Sequence, residues 1–260
     1  MEKINSDINI IGSIPNFNLI EVALAHFAEG KGRLDLKELL VTHNAFDFRT
    51  ESARERFLRA VSGSILVFVN DTHRALIEGL FCAPGHENLK RRTIFWQLLA
   101  GNELFRLISK NVYAKAYFSG RATLAGEEIF AYLKDLQAGS PKLKTFSDST
   151  LDKIASKYLT ILKKLEMVKG VAGKRILNVR LSEQEVLFFV YFCLSVDEAG
   201  RDILKNPYQE FFFLEKAELV QALKSIKLMP FLDITSTGEA MNVNLKLTPQ
   251  ELIDVISNGK

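Results

Sequence analysis

With 260 residues, 47% of them hydrophobic and 25% charged, the chain has the composition of a folded globular protein of one or two domains and is too apolar to be disordered. The formal net charge is only +3, so any surface for a polyanion has to come from local clustering. The N-terminus carries no basic-then-apolar leader. The longest uncharged apolar runs, Ala60 to Asn70 and Val186 to Val196, are about half the ~20 residues of a spanning helix. A cytoplasmic protein with no membrane partner is the expectation.

In chain order, Met1 to Asn16 reads as a loose arm ending at Pro15. Leu19 to Ala28 is predicted helical and stopped by Gly30 and Gly32, and Leu34 to Val41 follows with Asn44 as an end signal. Thr50 to Val61 is a helix with Arg54, Arg56 and Arg59 on its wet side. Ser64 to about Phe81 is apolar early and ends at Pro84-Gly85. Leu89 to Leu99 opens on Lys90, Arg91 and Arg92, charges a helix N-terminus disfavours. Together Arg54, Arg56, Arg59, Lys90, Arg91 and Arg92 form a second candidate site for an anion or a partner. Gly101 to Ser119 is a further helix rich in aromatic residues.

The stretch from Leu124 to Leu181 is the most informative. Glu127 to Gln137 carries an apolar stripe broken by Ala138-Gly139-Ser140-Pro141. A second run from Ser149 repeats Leu151, Ile154, Ala155, Tyr158, Leu159, Leu162 and Leu165 at helical spacing and should end near Val168 to Gly170. Lys174 to Leu181 reads as a short strand. Between Lys142 and Arg180 stand ten Lys or Arg against three acids, a net of +7. Helix, turn, helix, basic Gly-containing loop and strand is the order of a winged helix-turn-helix. Lys142, Lys144, Lys153, Lys157, Lys163, Lys164, Lys169, Lys174 and Arg175 are therefore the candidate DNA-binding residues. A Lys-rich face that serves only solubility is the competing reading.

Ser182 with Glu185 has capping-box spacing and opens a helix apolar on nearly all sides through Val196. Asp202 to Phe213 and Glu215 to Ile226 are predicted helical, with Phe211-Phe212-Phe213 an alternative strand. Phe231 to Thr235 and Ala240 to Leu247 suggest a hairpin turning at Thr237-Gly238. Thr248-Pro249-Gln250-Glu251 opens a last helix through Ile256. The fold class is thus mainly α: a multi-helix bundle with an embedded winged helix-turn-helix-like element and a small C-terminal β-hairpin. The expected divisions are an N-terminal helical domain (1–122), the winged-helix-like element (123–181) and a C-terminal helical region with the hairpin (182–260). Most of the nineteen Phe should be core.

No motif points to catalysis. The histidines, His26, His43, His73 and His86, have no zinc-helix spacing, and Cys82 near His86 lacks a second ligand pair. Cys82 and Cys193 are expected to be reduced, buried thiols. Gly170, Gly173 and Lys174 do not form a phosphate loop, and Ser62-Gly63-Ser64 is not a nucleophile turn. Glu127 with Glu128, or Asp233 with Glu239, could hold a cation, but the first pair more simply opens a helix. No metal, cofactor or enzymatic activity is expected.

Three stretches resemble the BrxA family of bacteriophage exclusion (BREX) defence systems: Ser13-Ile-Pro-Asn-Phe-Asn-Leu-Ile-Glu21, Asn44-Ala-Phe-Asp-Phe-Arg49, and Phe146-Ser-Asp-Ser-Thr-Leu-Asp-Lys-Ile154 onward through Leu165. The likeness covers Ser13 to Leu181 and rests on diffuse positions. It implies a small, mainly helical accessory protein that binds double-stranded DNA, works with other BREX proteins and has no catalytic role. The inner-membrane label some relatives carry runs against the short apolar runs here. A helical protein–protein adaptor and a transcriptional regulator of the defence operon are the alternatives. Oligomeric state is open, since no coiled-coil repeat is present.

Overall fold

The computed structural model describes residues 6–29, 32–141, 143–171, 173–197, 200–225, 227–237 and 239–258. In order these form α1 (Ile8–Ile11), α2 (Asn18–Ala28), α3 (Arg33–Lys37) continued by a π-helical turn (Glu38–Thr42), α4 (Glu51–Ser64), α5 (Asp71–Cys82) and α6 (Glu87–Gly101). Next come α7 (Glu103–Ile108), a π-helical stretch (Ser109–Ala114), α8 (Lys115–Phe118), β1 (Thr123–Leu124), α9 (Gly126–Gly139), α10 (Asp148–Lys164), β2 (Val168–Lys169) and β3 (Lys174–Ile176). The chain continues with α11 (Glu183–Val196), a 3-10 turn (Gln209–Phe212), α12 (Lys216–Leu223), β4 (Leu232–Thr237), β5 (Ala240–Leu245) and α13 (Pro249–Ser257). The protein is mainly α, with a small C-terminal β-hairpin of β4 and β5.

Several helix starts are set by short polar side chains that accept a backbone N–H of the first turn. Thr50, Asn70, Asn102, Ser147, Ser182 and Thr248 each do so. Such a cap stabilises a helix by about 1 kcal/mol. At Ser182 and Thr248 the expected reciprocal bond from Glu185 and Glu251 is present as well.

Two compact units result: Met1–Val67 with Arg91–Asn178, and Phe68–Lys90 with Val179–Lys260. In the first, α10 lies at the centre, burying Leu151, Ile154, Ala155, Tyr158, Leu159, Ile161 and Leu162 among α9, α1 and β2. Each such aliphatic or aromatic side chain contributes about 1.5–3 kcal/mol by leaving water. β3 pairs antiparallel with β1 (Leu124 opposite Lys174) and with β2 (Val168 opposite Ile176), so the sheet order is β1-β3-β2. The sole Trp, Trp96, is fully buried here.

The second unit is built on α11, whose Phe188, Phe189, Phe192 and Cys193 are completely enclosed. Phe189 packs on Phe212 (4.5 Å between centroids), and Phe192 meets the edge of His73 at 5.1 Å. The Tyr191 hydroxyl donates to Phe231 O and accepts from Leu247 N, tying α11 to the hairpin region.

Several local expectations are corrected. The N-terminal arm is not loose over its described part: Ile8, Ile11 and Ile14 are buried, and α1 packs on α10 and α4. Gly12 makes this approach possible, because a Cβ there would stand 2.7 Å from both Cβ and O of Lys157. The helix expected from Leu89 starts at Glu87, so an acid occupies its first turn and the basic residues follow. The α10 helix ends at Lys164, before the expected stop, because Glu166 turns the chain with φ 55° and β2 follows. The expected strand from Lys174 ends at Ile176. Residues 202–213 form turns and the 3-10 turn instead of an α-helix. Cys82 is exposed, unlike Cys193. The expected stop at Gly30, the helix end at Ile226 and the turn residue Gly238 lie outside the described residues.

Candidate nucleic-acid interface

The α9–α10 turn is held by side chains that the sequence places within one helical turn of it. Gln137 Nε2 donates to Leu143 O (3.0 Å) and Phe146 O (2.7 Å), and Lys134 pairs with Asp148 at the start of α10 (2.8 Å). At the start of α9, Glu128 accepts both guanidinium nitrogens of Arg121 (2.5 and 2.6 Å), which holds its carboxyl below the usual carboxylate range. Glu127 and Glu128 therefore open a helix, as their position suggested. After α10, Gly170 and Gly173 take left-handed φ values of 107° and 63° in the loop between β2 and β3. Lys174 Nζ closes that loop on itself by donating to Gly170 O and Val171 O. Val171 projects from it, 87% exposed.

The polar face of α10 is zoned. Asp148, Ser149, Asp152, Ser156 and Thr160 line a groove of about 760 Å³ that also meets α9 and the β2–β3 loop. Lys153 and Lys157 lie on the other edge, beside the N-terminal segment. Lys153, Lys163, Lys169 and Arg175 are exposed. Lys144 is exposed in the α9–α10 turn. Lys142 lies outside the described residues.

Lys164 is not available in the way its charge suggested. Its ammonium donates to Gly12 O (3.2 Å) and Ile14 O and sits over the Phe17 ring. Partial burial, and then the nearby charge of Lys157, lower its pKa. Lys157 is half-buried where α1 crosses α10.

The members of the second cationic group differ in exposure and partners. Arg54 is half-buried and donates to Val41 O, which corrects its expected wet-side position. Arg56 is exposed and meets Lys153 and Lys157 at a shared cleft. Arg59 is exposed, and its charge acts on Asp7, a half-buried carboxyl that burial raises above the ordinary range. Lys90 is buried and donates to Ala83 O (2.6 Å). Arg91 pairs with Glu166, and the buried Nη1 of Arg92 has no hydrogen-bond partner.

Sequence reasoning missed the cleft shared by Arg56, Lys153 and Lys157 because it took the N-terminal residues as unpacked. The three-residue spacing of Ile8, Ile11 and Ile14 is the signal that marks them as packed. Among the described residues, no three His, Cys, Asp or Glu side chains converge as a metal set, and no helix is long and apolar enough to cross a membrane.

Fold and surface together define a mainly α-helical protein built around a strand–helix–helix–strand–strand module with cations on its rim. The chain belongs to the BrxA family: a family model described as BrxA matches residues 20–189, more than half of its length. That membership, foreshadowed by the resemblance across Ser13 to Leu181, makes it a component of a BREX phage-defence system. No curated relative matches the chain.

Proposed function

We propose that this chain is a non-catalytic, double-stranded-DNA-binding component of its defence system, acting in the cytoplasm beside other BREX proteins and holding the duplex mainly by its phosphates. The observation that carries the reading is the order β1–α9–α10–β2–β3 with β3 between β1 and β2, the connectivity of a winged helix-turn-helix. In that arrangement α10 is the recognition helix and the β2–β3 loop is the wing.

The charges on this module fit phosphate contact better than base reading. Lys153, Lys163, Lys169 and Arg175 are exposed, on the helix and on the strands that carry the wing. The middle of the exposed helix face is small and polar, with Ser149, Ser156 and Thr160, so the backbone of α10 can approach a groove closely. Asp152 stands beside them and could accept from a cytosine amine, but it repels phosphate. No Arg, Asn or Gln lies on α10 to grip a purine edge with two bonds. Modest sequence preference follows.

Duplex binding measured by fluorescence anisotropy at several salt concentrations tests this. With four or five phosphates neutralised, log K should fall with log salt at a slope of roughly −4. The K163Q/K169Q/R175Q variant should keep its helical circular dichroism and flatten that slope by roughly 2 to 3. Random and operon-derived duplexes should bind within about tenfold of each other; a preference of about 10³ or more would favour the transcriptional regulator. Equal affinity of the variant and the parent chain would overturn the proposal.

A further inference from the structure

A cleft of about 390 Å³ opens in the first unit between the N-terminal segment, α4 and α10. Its floor is apolar, with Ile10, Ile14, Pro15 and Phe48. Its rim carries Arg56, Lys153 and Lys157, three cations drawn from two helices, and no acid lines it among the described residues. Asn9 also faces the cleft, and its buried Oδ1 has no hydrogen-bond partner. We infer that this cleft is a docking site for a segment of a partner protein in which one bulky apolar side chain is flanked by Asp or Glu.

Each part of that description answers to something in the cleft. A volume near the lower end of ordinary ligand pockets, roughly 300–1,000 Å³, suits one or two side chains better than a folded surface. Three like charges gathered around apolar surface repel each other until an anion arrives, and Arg56 can take a carboxylate with two parallel bonds. A nucleobase fits less well. The rings of Phe48 and Phe57 are 5.2 Å apart but inclined at 42°, so they offer no parallel-sided slot for a flat ring.

This inference does not depend on duplex binding. Arg56 and Ala53 belong to the cleft and are no part of the proposed DNA surface. Random twelve-residue peptides displayed on a surface and selected against the full chain, with isolates measured by fluorescence anisotropy, test it. The isolates should share an apolar residue flanked by acids. They should bind at least tenfold more weakly to Arg56→Glu, which reverses a rim charge, and to Ala53→Trp, which fills the floor. Both variants should keep their circular dichroism, and Ala53→Trp, which alters no charge, should keep duplex affinity. Three results would overturn the inference: no isolates, isolates without acids, or acidic isolates that bind both variants as well as the parent chain. A single-stranded oligonucleotide probe whose affinity falls tenfold in Ala53→Trp would also overturn it, by assigning the cleft to nucleic acid.

Discussion

Lys164 shows how one side chain with the charge of a DNA contact is used instead to fasten the chain to itself. Its ammonium satisfies the carbonyls of Gly12 and Ile14 where α1 leaves α10, and sits over the Phe17 ring. Burial and the neighbouring Lys157 charge lower its pKa, so between the lowered value and the ordinary one folding disfavours a proton that the unfolded chain holds. The unfolded state then binds more protons, and this residue's contribution to stability rises with pH through the alkaline range below the ordinary lysine value of about 10.4. Lys164→Met should remove that component of the pH dependence, seen as the difference between parent and variant urea curves. It should also cost about 1–3 kcal/mol at neutral pH by leaving the two carbonyls short of a donor. Faster hydrogen exchange at residues 11–14 in the variant would locate the loss. An unchanged exchange rate there would mean that the apolar contacts of Ile8 and Ile11 hold the segment alone.

Among elements, α10 depends on the helix that runs from α7 through the π-helical stretch to α8. Ser109, the first π-helical residue, shares a 2.9 Å hydrogen bond with the hydroxyl of Tyr158, and both side chains are fully buried. Phe105, one turn earlier, packs on the Tyr158 ring at 5.2 Å. Ser109→Ala leaves a buried hydroxyl without a partner and should destabilise the chain by about 1–3 kcal/mol. The S109A/Y158F double variant removes both groups and should be less destabilised than the sum of the singles by about 1 kcal/mol. Chemical denaturation of the four proteins gives the coupling directly. Additive losses would show that the hydrogen bond contributes nothing beyond the packing around it.

Across the whole molecule, a formal charge of only +3 conceals a run that carries +7 between Lys142 and Arg180. Acids elsewhere in the sequence offset that excess. The molecule should therefore behave towards a polyanion as a basic protein of higher charge than its composition suggests. On a heparin column the parent chain should elute at clearly higher salt than K163Q/K169Q/R175Q. Neutralising the same number of lysines in the second unit, K216Q/K224Q/K227Q, gives the same net charge and should barely change elution. Equal shifts for the two triple variants would show that overall charge, and not its placement, governs retention.

The sequence by itself determined where most elements begin and which residues they bury. A cap at Ser182 or Thr248 and an apolar repeat like that of α10 act over three or four residues, so neighbours in the chain suffice to specify them. The mainly α class, the terminal hairpin and the BrxA resemblance were legible for the same reason. Only the tertiary structure decided that residues 68–90 join 179–260 in one unit, and that the two-residue β1 completes a sheet with β3. Only it decided which cations are exposed, which are tied down like Lys164 and Lys90, and which converge like Arg56 with Lys153 and Lys157. Charge is a property of the residue, whereas its availability depends on which distant segment packs beside it. In α10 that segment is a short N-terminal helix docked through Ile8, Gly12 and Ile11.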